Sequence, residues 1–335
     1  IIQNNSIQII KMEDRQHPNN RSEIIYFTKA RSALKYGLKI LELKTNEAIL
    51  IPDFICESVI APILGNSLQF TTYKTAKDLS PLWPELESAI NPNTKALLMV
   101  HYFGQPQDIP RFQQFTKKHN LFLIEDNAHG HAGTFENKIL GTFGDIGISS
   151  PRKFEESGGV LYVNSNININ EVFHPSLTLE KLKKNTLLSR PLLKKYPKLK
   201  HKLKLLFKQR LKYEDPRAFR EASEDDFYLS PGKIERLESI NWKKTADLRR
   251  NKYLKFQSLA VKNGLQPLYK SISKDSNPWC FAAYVENHTD AIGWFDWGWQ
   301  HNIEVFSWPT LREEQILDQG DAFQKWKTLI CFSLS

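Results

Sequence analysis

One lysine lies in a turn between two apolar segments, which is an unusual place for a charged side chain. The stretch SSPRKFEESGG, residues 149–159, puts Lys153 after the apolar run GDIGI and before the strand-like VLYV. A lysine attacks carbonyl groups only when its amine is neutral, and partial burial lowers its pKa toward that state. The setting makes Lys153 a candidate nucleophile, although an isolated lysine is normally solvated surface.

A second polar segment, LIEDNAHGHAGT at residues 123–134, follows a buried strand and suggests two kinds of site. In one interpretation Asp126, His129 and His131 bind zinc or iron in a metal-dependent hydrolase, because carboxylate and imidazole suit those metals. His101 would be a fourth ligand. The spacing of these residues matches no single helix face, which counts against a metal site.

In the other interpretation the same carboxylate serves pyridoxal phosphate. Asp126 would keep the pyridine nitrogen protonated, so that the ring accepts electrons from a substrate carbanion, and Lys153 would form a Schiff base with the aldehyde. The phosphate needs backbone N–H groups at a helix start together with hydroxyl groups. The segment FTKARSAL offers such a start at Ala30, Arg31 and Ser32.

The elements that would position these residues alternate between strands and helices. Apolar strands such as EAILIPDF, TKALLMVHYF and LFLIED are separated by helical segments such as ARSALKYGLKILEL and IPRFQQFTKKHN. This alternation predicts an α/β fold with a mostly parallel sheet covered by helices on both faces. Ligands of such sheets lie beyond the carboxyl ends of the strands, where Asp53, His101 and Asp126 occur.

The second half of the chain predicts a smaller α/β unit. Residues 230–260 have the composition of one long charged helix, and PWCFAAYV, IEVFSW and LICFSLS have that of strands. We therefore expect a large domain over residues 1–240 and a small C-terminal domain over residues 241–335. We also expect both ends of the sequence to be trimmed.

The positive charge is concentrated in one segment. Residues 181–213 contain thirteen Lys or Arg and no Asp or Glu, whereas the rest of the chain has 33 basic against 37 acidic residues. A general affinity for nucleic acid is therefore not expected. Leucines at helical spacing leave three interpretations of the segment: a solvated or interface helix, contact with an anionic membrane surface, or binding of nucleotide diphosphate groups.

The cysteines and the hydropathy pattern predict a cellular compartment. Cys56, Cys280 and Cys331 form neither a disulfide framework nor a zinc-binding pattern. No apolar run is long enough to span a bilayer, and the N-terminus lacks the pattern of a secretory signal. These features predict a protein of the reducing cytoplasm.

Five segments of the first half occur in the order seen in a known enzyme family. They are ARSAL, ILIPDFICES, VHYFGQPQDI, LIEDNAHGHAGT, and GTFGDIGISSPRK followed by GGVLYVN. Residues 26–165 thereby resemble the DegT/DnrJ/EryC1/StrS sugar aminotransferases. This family is a branch of the aspartate aminotransferase fold, fold type I of the pyridoxal phosphate enzymes. The C-terminal half resembles the family only in outline.

The resemblance implies roles for individual residues. Lys153 takes the position of the Schiff-base lysine, and Asp126 takes that of the carboxylate at the pyridine nitrogen. His129 replaces a glutamine near the ring hydroxyl. Ser150 takes the position of a phosphate-binding serine, with Ser149 as the alternative.

Other positions differ from the family's usual pattern. Arg31 and Ser32 replace the Gly-Thr of the phosphate-binding turn, and Cys56 replaces an aromatic residue that stacks on the cofactor. We expect Cys56 to form part of the pocket wall. The loop around Lys153 is shorter than usual on both sides. Because sugar dehydratases of the family carry histidine in place of this lysine, the resemblance favours transamination.

The resemblance therefore implies a homodimeric pyridoxal-phosphate-dependent aminotransferase. An amino group would pass from an amino acid, glutamate by expectation, to a nucleotide-linked keto-deoxysugar. The product would enter lipopolysaccharide or another glycan, and substrates of that kind are the reason to consider the basic segment as a membrane contact. Two alternatives stay open: the metal-dependent hydrolase, and a non-catalytic sensor or partner protein, which the short lysine loop suggests.

Overall fold

The computed structural model describes residues 10–13, 21–169, 210–218, 220 and 227–335. Their strands are β1 Ile10–Glu13, β2 Arg21–Phe27, β3 Ala48–Pro52, β4 Gln69–Tyr73, β5 Thr94–Val100, β6 Phe122–Asn127, β7 Thr134–Phe135, β8 Lys138–Ile139, β9 Ile146–Ser149, β10 Gly159–Val163, β11 Gln266–Pro267, β12 Cys280–Tyr284, β13 Val305–Ser307 and β14 Leu329–Ser333. Their helices are α1 Ala30–Ile40, α2 Ile60–Leu64, α3 Trp83–Ser88, α4 Ile109–His119, α5 Pro231–Ser239, α6 Trp242–Lys262, α7 His288–His301, α8 Glu313–Asp318 and α9 Asp321–Thr328.

A large, mostly parallel sheet organises the first half of the chain. Its strand order is β1-β2-β10-β9-β6-β5-β3-β4. The five strands from β9 to β4 run parallel, whereas β10 runs antiparallel to both β9 and β2. Helices cover both faces: on β5, Leu97 packs in one cluster with residues of α3 and α4, and its neighbour Leu98 packs in another with residues of α1 and α2. The predicted α/β fold is confirmed.

The glycine pair after the lysine turn lets β10 pass close to the start of α1. A Cβ atom on Gly159 would clash with the backbone nitrogen of Ala30. Gly158 has a φ of +118°, a conformation that side chains with a Cβ rarely adopt. Gly159 is therefore needed for the close approach of β10 to the N-terminus of α1, and Gly158 for the backbone turn that precedes it.

A second, smaller sheet forms from the last third of the chain. Its order is β11-β12-β14-β13, and all its neighbours are antiparallel. The prediction of one helix over residues 230–260 is wrong, because α5 ends at Ser239 and α6 begins at Trp242. The side chain of Asn241 accepts a hydrogen bond from the N–H of Lys244 at 2.9 Å. This cap begins a new helix instead of continuing the old one.

Most of the basic segment, residues 181–209, lies outside the described residues. Its described end is tied to the smaller sheet's unit by Arg210, which pairs with Asp296 at 2.9 Å, and by Tyr213, whose hydroxyl donates to Glu304 at 2.6 Å. Within the described part of the chain, no helix has the length and apolar character needed to cross a membrane. The division into domains 1–240 and 241–335 stays a prediction.

Candidate functional site

Two neighbouring strands bring the candidate residues to one edge of the large sheet. β6 and β9 are parallel partners, with Asn127 opposite Ser149 in the register. Asp126 therefore lies at the carboxyl end of β6, beside the point where β9 ends. The chain then turns through a short 3₁₀ helix, Pro151–Phe154, which carries Lys153. This is the edge at which ligands of parallel sheets bind.

Lys153 is half-buried, and its Nζ atom has no hydrogen-bond or ion-pair partner among the described residues. The atom lies 3.6 Å from the centre of the Trp279 ring. Burial lowers the pKa of the Lys153 amine, whereas nearby Cys56, Cys280 and Asp126 oppose that shift. The amine is therefore more readily neutral than an exposed lysine, as a nucleophile requires.

Asp126 is a buried carboxylate with one oxygen engaged. Its Oδ1 atom accepts a hydrogen bond from the N–H of Ala128 at 2.8 Å, and its Oδ2 atom accepts none from the described residues. Burial raises the pKa of the carboxyl, while the Ala128 bond, His101 and Lys153 lower it. A buried carboxylate with one oxygen still able to accept a hydrogen bond suits a cationic N–H group from a ligand.

His129 is held as a neutral ring within an aromatic cluster. Its Nδ1 atom accepts a hydrogen bond from the N–H of Phe103 at 3.2 Å, which leaves the ring proton on Nε2. Its ring stacks on Phe103, and its centre lies 4.6 Å from that of Trp279 and 4.7 Å from that of Trp308. Burial, with a smaller contribution from Lys153, keeps the pKa of His129 well below its usual value.

The two adjacent serines differ in what they contact. The Ser149 hydroxyl lies 2.8 Å from Nδ1 of His131 and 3.4 Å from the hydroxyl of Tyr162. Ser150 is also buried, but its hydroxyl has no partner among the described residues. Of the pair, Ser150 is therefore the one whose hydroxyl is available to a ligand, and its role in binding phosphate stays a prediction.

The remaining predicted residues border this edge. Arg31 and Ser32 lie in the first turn of α1, where Ser32 is buried and the side chain of the N-cap residue Lys29 makes no capping bond. The start of α1 lies against Gly159, and the next residue, Val160, pairs with Ser149. The first turn of α1 is therefore adjacent to the end of β9. Cys56 is half-buried and close enough to Lys153 to influence its pKa.

The histidines that suggested a metal site make separate contacts. His101 donates from Nε2 to Glu125 at 2.8 Å and accepts from the N–H of Gln107 at Nδ1, while His129 and His131 are bound as described above. Glu125 also accepts three backbone N–H bonds, so it fixes the loop that follows β8. Within the described ranges, no cluster of three or more potential ligands could hold a metal ion.

Trp279 was not among the residues singled out from the sequence. It precedes β12, and its ring contacts both Lys153 and His129 although it is more than a hundred residues away in the chain. The segment PWCFAAYV predicts a strand and contains no signal for a site. Only the position of the smaller sheet against the large one brings this tryptophan to the lysine.

The fold recurs in solved aminotransferase structures. The PseC aminotransferase of Helicobacter pylori, involved in the biosynthesis of pseudoaminic acid, is similar with a TM-score of 0.67 at 16% identity, over 93% of this chain and 81% of that protein. The pyridoxal phosphate form of the putative sugar aminotransferase Spr1654 from Streptococcus pneumoniae gives 0.63 at 14% identity, over 93% and 82%. At these identities the likeness shows a shared fold.

A family model matches part of the sequence. Residues 20–153 match the profile of the DegT/DnrJ/EryC1/StrS aminotransferase family, which confirms the resemblance predicted from the motifs. A curated relative, the UDP-N-acetyl-3-dehydro-alpha-D-glucosamine 3-aminotransferase of Acidithiobacillus ferrooxidans, is 31% identical over 120 residues. That match covers 35% of this chain and 32% of the relative. The chain thus matches about a third of the relative's length.

Proposed function

We propose that this protein is a pyridoxal-phosphate-dependent aminotransferase acting on a nucleotide-linked keto-sugar. The observation that carries the proposal is the Lys153 amine: half-buried, with its pKa lowered by burial, and without a polar partner among the described residues. A lysine in a purely structural role would pair its amine with a carboxylate or a carbonyl. The matched family and the shared fold support the same function.

The residues present fit this cofactor. Asp126 has an oxygen available for the pyridine N–H, Ser150 has an available hydroxyl for the phosphate, and the first turn of α1 at Arg31 and Ser32 supplies the positive end of a helix. His129 lies beside them with a donor N–H on Nε2. Cys56 forms part of the wall near Lys153. When bound, the cofactor supplies an electron sink for the carbanion formed at the amino acid's α-carbon.

The chain's own residues would bind the cofactor and move protons. The neutral Lys153 amine would hold the cofactor through its aldehyde. Once free of the cofactor, the same amine would move the proton at the α-carbon of the amino acid donor, and then the proton at the sugar carbon that receives the amino group. Asp126 would hold the ring nitrogen through its available carboxylate oxygen.

Further parts of the proposal rest on the family and on composition. We infer glutamate as the donor, a homodimer as the assembly, the cytoplasm as the compartment, and lipopolysaccharide or another surface glycan as the destination of the product. We keep contact of the basic segment 181–213 with an anionic membrane surface as part of this proposal. Deletion of the segment should then weaken binding to anionic liposomes, and unchanged binding would refute the contact.

The test is the visible absorption spectrum of the purified protein with pyridoxal 5'-phosphate, before and after borohydride reduction. We expect a yellow protein whose reduced adduct maps to the peptide containing Lys153. The Lys153→Ala variant should give no adduct at that peptide, and Lys243→Ala, which removes an exposed lysine on α6, should behave as the wild type. Glutamate alone should then convert the bound cofactor to its amino form.

Each outcome decides between the candidate functions. A protein that stays colourless with the cofactor refutes the proposal. A yellow protein with the adduct at Lys153 that does not react with any amino acid supports the non-catalytic sensor instead. An adduct that maps elsewhere refutes the role of Lys153.

A further inference from the structure

The contact between Lys153 and Trp279 is the most specific feature of the site that the proposed function leaves unused. The lysine nitrogen lies 3.6 Å from the centre of the indole, so it faces the flat side of the ring. Trp279 is half-buried, and Nζ of Lys153 has no other close partner among the described residues. Trp279 also packs against the hydrophobic core, but its flat side meets an amine, which is the geometry of a cation–π contact and not of apolar packing alone.

The backbone around Trp279 is anchored by hydrogen bonds from two directions. The Trp279 N–H donates to the carbonyl of Phe103 at 3.1 Å. The side chain of Arg249, on α6, donates to the carbonyls of Pro278 at 2.8 Å and of Trp279 at 2.7 Å. These bonds fix where the indole can lie.

Arg249 also contacts the lysine turn itself. Its guanidinium lies 4.8 Å from the centre of the ring of Phe154, the residue after Lys153, and the side chain is only 7% exposed. Arg249 therefore links the turn that carries Lys153 to the segment before β12 that carries Trp279.

We infer that Trp279 forms the aromatic wall of the cofactor site and stacks against the pyridine ring held at Lys153. The inference rests on the proposed function, because it needs the cofactor to bond the Lys153 nitrogen. A flat ring attached to that nitrogen lies within van der Waals reach of an indole centred 3.6 Å away.

The test compares three variants for binding of pyridoxal 5'-phosphate and for quenching of tryptophan fluorescence by the bound cofactor. Trp279→Ala should weaken binding roughly tenfold, because a stacked aromatic contact and its buried area are lost. Trp279→Phe should bind within roughly threefold of the wild type, since a ring remains, but should show less quenching. The matched control is Trp294→Phe, which removes a tryptophan of α7 that packs on Phe332. It should leave both readouts unchanged.

The outcomes separate this inference from the proposed function. If the wild type binds the cofactor at Lys153 while Trp279→Ala binds equally well with equal quenching, the inference is wrong and the proposed function stands. If the wild type binds no cofactor, the inference and the proposed function are both wrong. Should Trp279→Ala not fold, Trp279→Phe decides: quenching equal to that of Trp294→Phe overturns the inference, and reduced quenching supports it.

Discussion

The pKa of the Lys153 amine is set by burial and by nearby groups that act in the opposite direction. Burial lowers its pKa most strongly, and nearby Cys56, Cys280 and Asp126 partly restore it. A lysine with these neighbours becomes neutral at a lower pH than a solvated lysine, without needing a general base to deprotonate it. The reactivity that the proposed function requires is thus present before any cofactor arrives.

This leads to a prediction on the pH dependence of acylation. The quantity to measure is the ratio of two acetylation rates in the cofactor-free protein, that of Lys153 over that of exposed Lys243 in the same digest. We expect this ratio to rise as the pH falls from 10 toward 7. The reason is that, as the pH falls, the neutral fraction of Lys153 declines less steeply than that of a lysine whose pKa is not lowered. Mass spectrometry of the labelled peptides measures both rates. A pH-independent ratio of rates would contradict the lowered pKa.

A second prediction concerns Asp126. Replacement by asparagine keeps the size of the side chain but removes the charge that would hold the pyridine nitrogen protonated. We expect Asp126→Asn to keep the covalent bond at Lys153 while the rate of the reaction with glutamate falls at least ~100-fold. Stopped-flow absorbance follows that reaction. Asp108→Asn, at the exposed N-cap of α4, is the control for loss of a carboxylate and should react normally.

At the scale of elements, β10 and α1 approach so closely that one position tolerates only glycine. Gly159→Ala places a methyl group against the backbone of Lys29 and Ala30. We expect the free energy of unfolding to fall by about 2 kcal/mol, and the affinity for the cofactor's phosphate to fall as the first turn of α1 shifts. Urea unfolding and cofactor titration measure the two effects.

The matched control for that change is Gly293 on α7. A Cβ there would have no atom of the described residues within 4 Å, and the residue is within a helix. We expect Gly293→Ala to raise the free energy of unfolding by about 0.5–1 kcal/mol, because alanine favours the helix more than glycine does. If both alanine variants destabilise the protein equally, the close approach at Gly159 is not the cause.

Hydrophobic pattern was enough to predict most elements but not all of their ends. The buried strands β3, β5 and β6 and the helices between them follow directly from apolar runs and turn residues. The prediction of a single helix over residues 230–260 was wrong because residues of helical composition continue through the break between α5 and α6. The composition gave no sign that Asn241 caps a new helix. Composition over a long window hides a short interruption of this kind.

The candidate site was predictable where neighbouring strands determine it. Asp126 and Ser150 lie at the ends of adjacent parallel strands, so their proximity follows from topology. The contact between Trp279 and Lys153 could not be predicted, because it depends on how the smaller sheet docks on the large one. The resemblance favoured Ser150 over Ser149 from sequence, but the hydrogen bond between His131 and Ser149, which distinguishes the two hydroxyls, could not be predicted.

For the whole molecule, buried neutral histidines make stability depend on pH. Burial lowers the pKa of His131 to about 3 and that of His129 well below its usual value. Below pH 6.5 the unfolded chain binds protons at these residues that the folded protein does not. Stability is therefore lost as the pH falls from about 6.5 toward 3.

The corresponding prediction compares urea unfolding at pH 7 and pH 5. Each of the two histidines should contribute a loss of roughly 1–2 kcal/mol over that interval. His131→Gln should reduce the difference between the two pH values by about that amount. His301→Gln, an exposed residue at the end of α7, should leave the difference unchanged. An unchanged difference in His131→Gln would show that His131 does not stay neutral on folding.

The strand order of the smaller sheet has a consequence for synthesis on the ribosome. β12, which begins directly after Trp279, is hydrogen-bonded along its whole length to β14, Leu329–Ser333, and among the other described strands only to the two-residue β11. β13 also has β14 as its only described partner strand. The large sheet can assemble on the growing chain, whereas the strand that fixes the indole must wait until β14 emerges. A nascent chain stalled before Leu329 should therefore have a formed lysine turn that nothing yet covers.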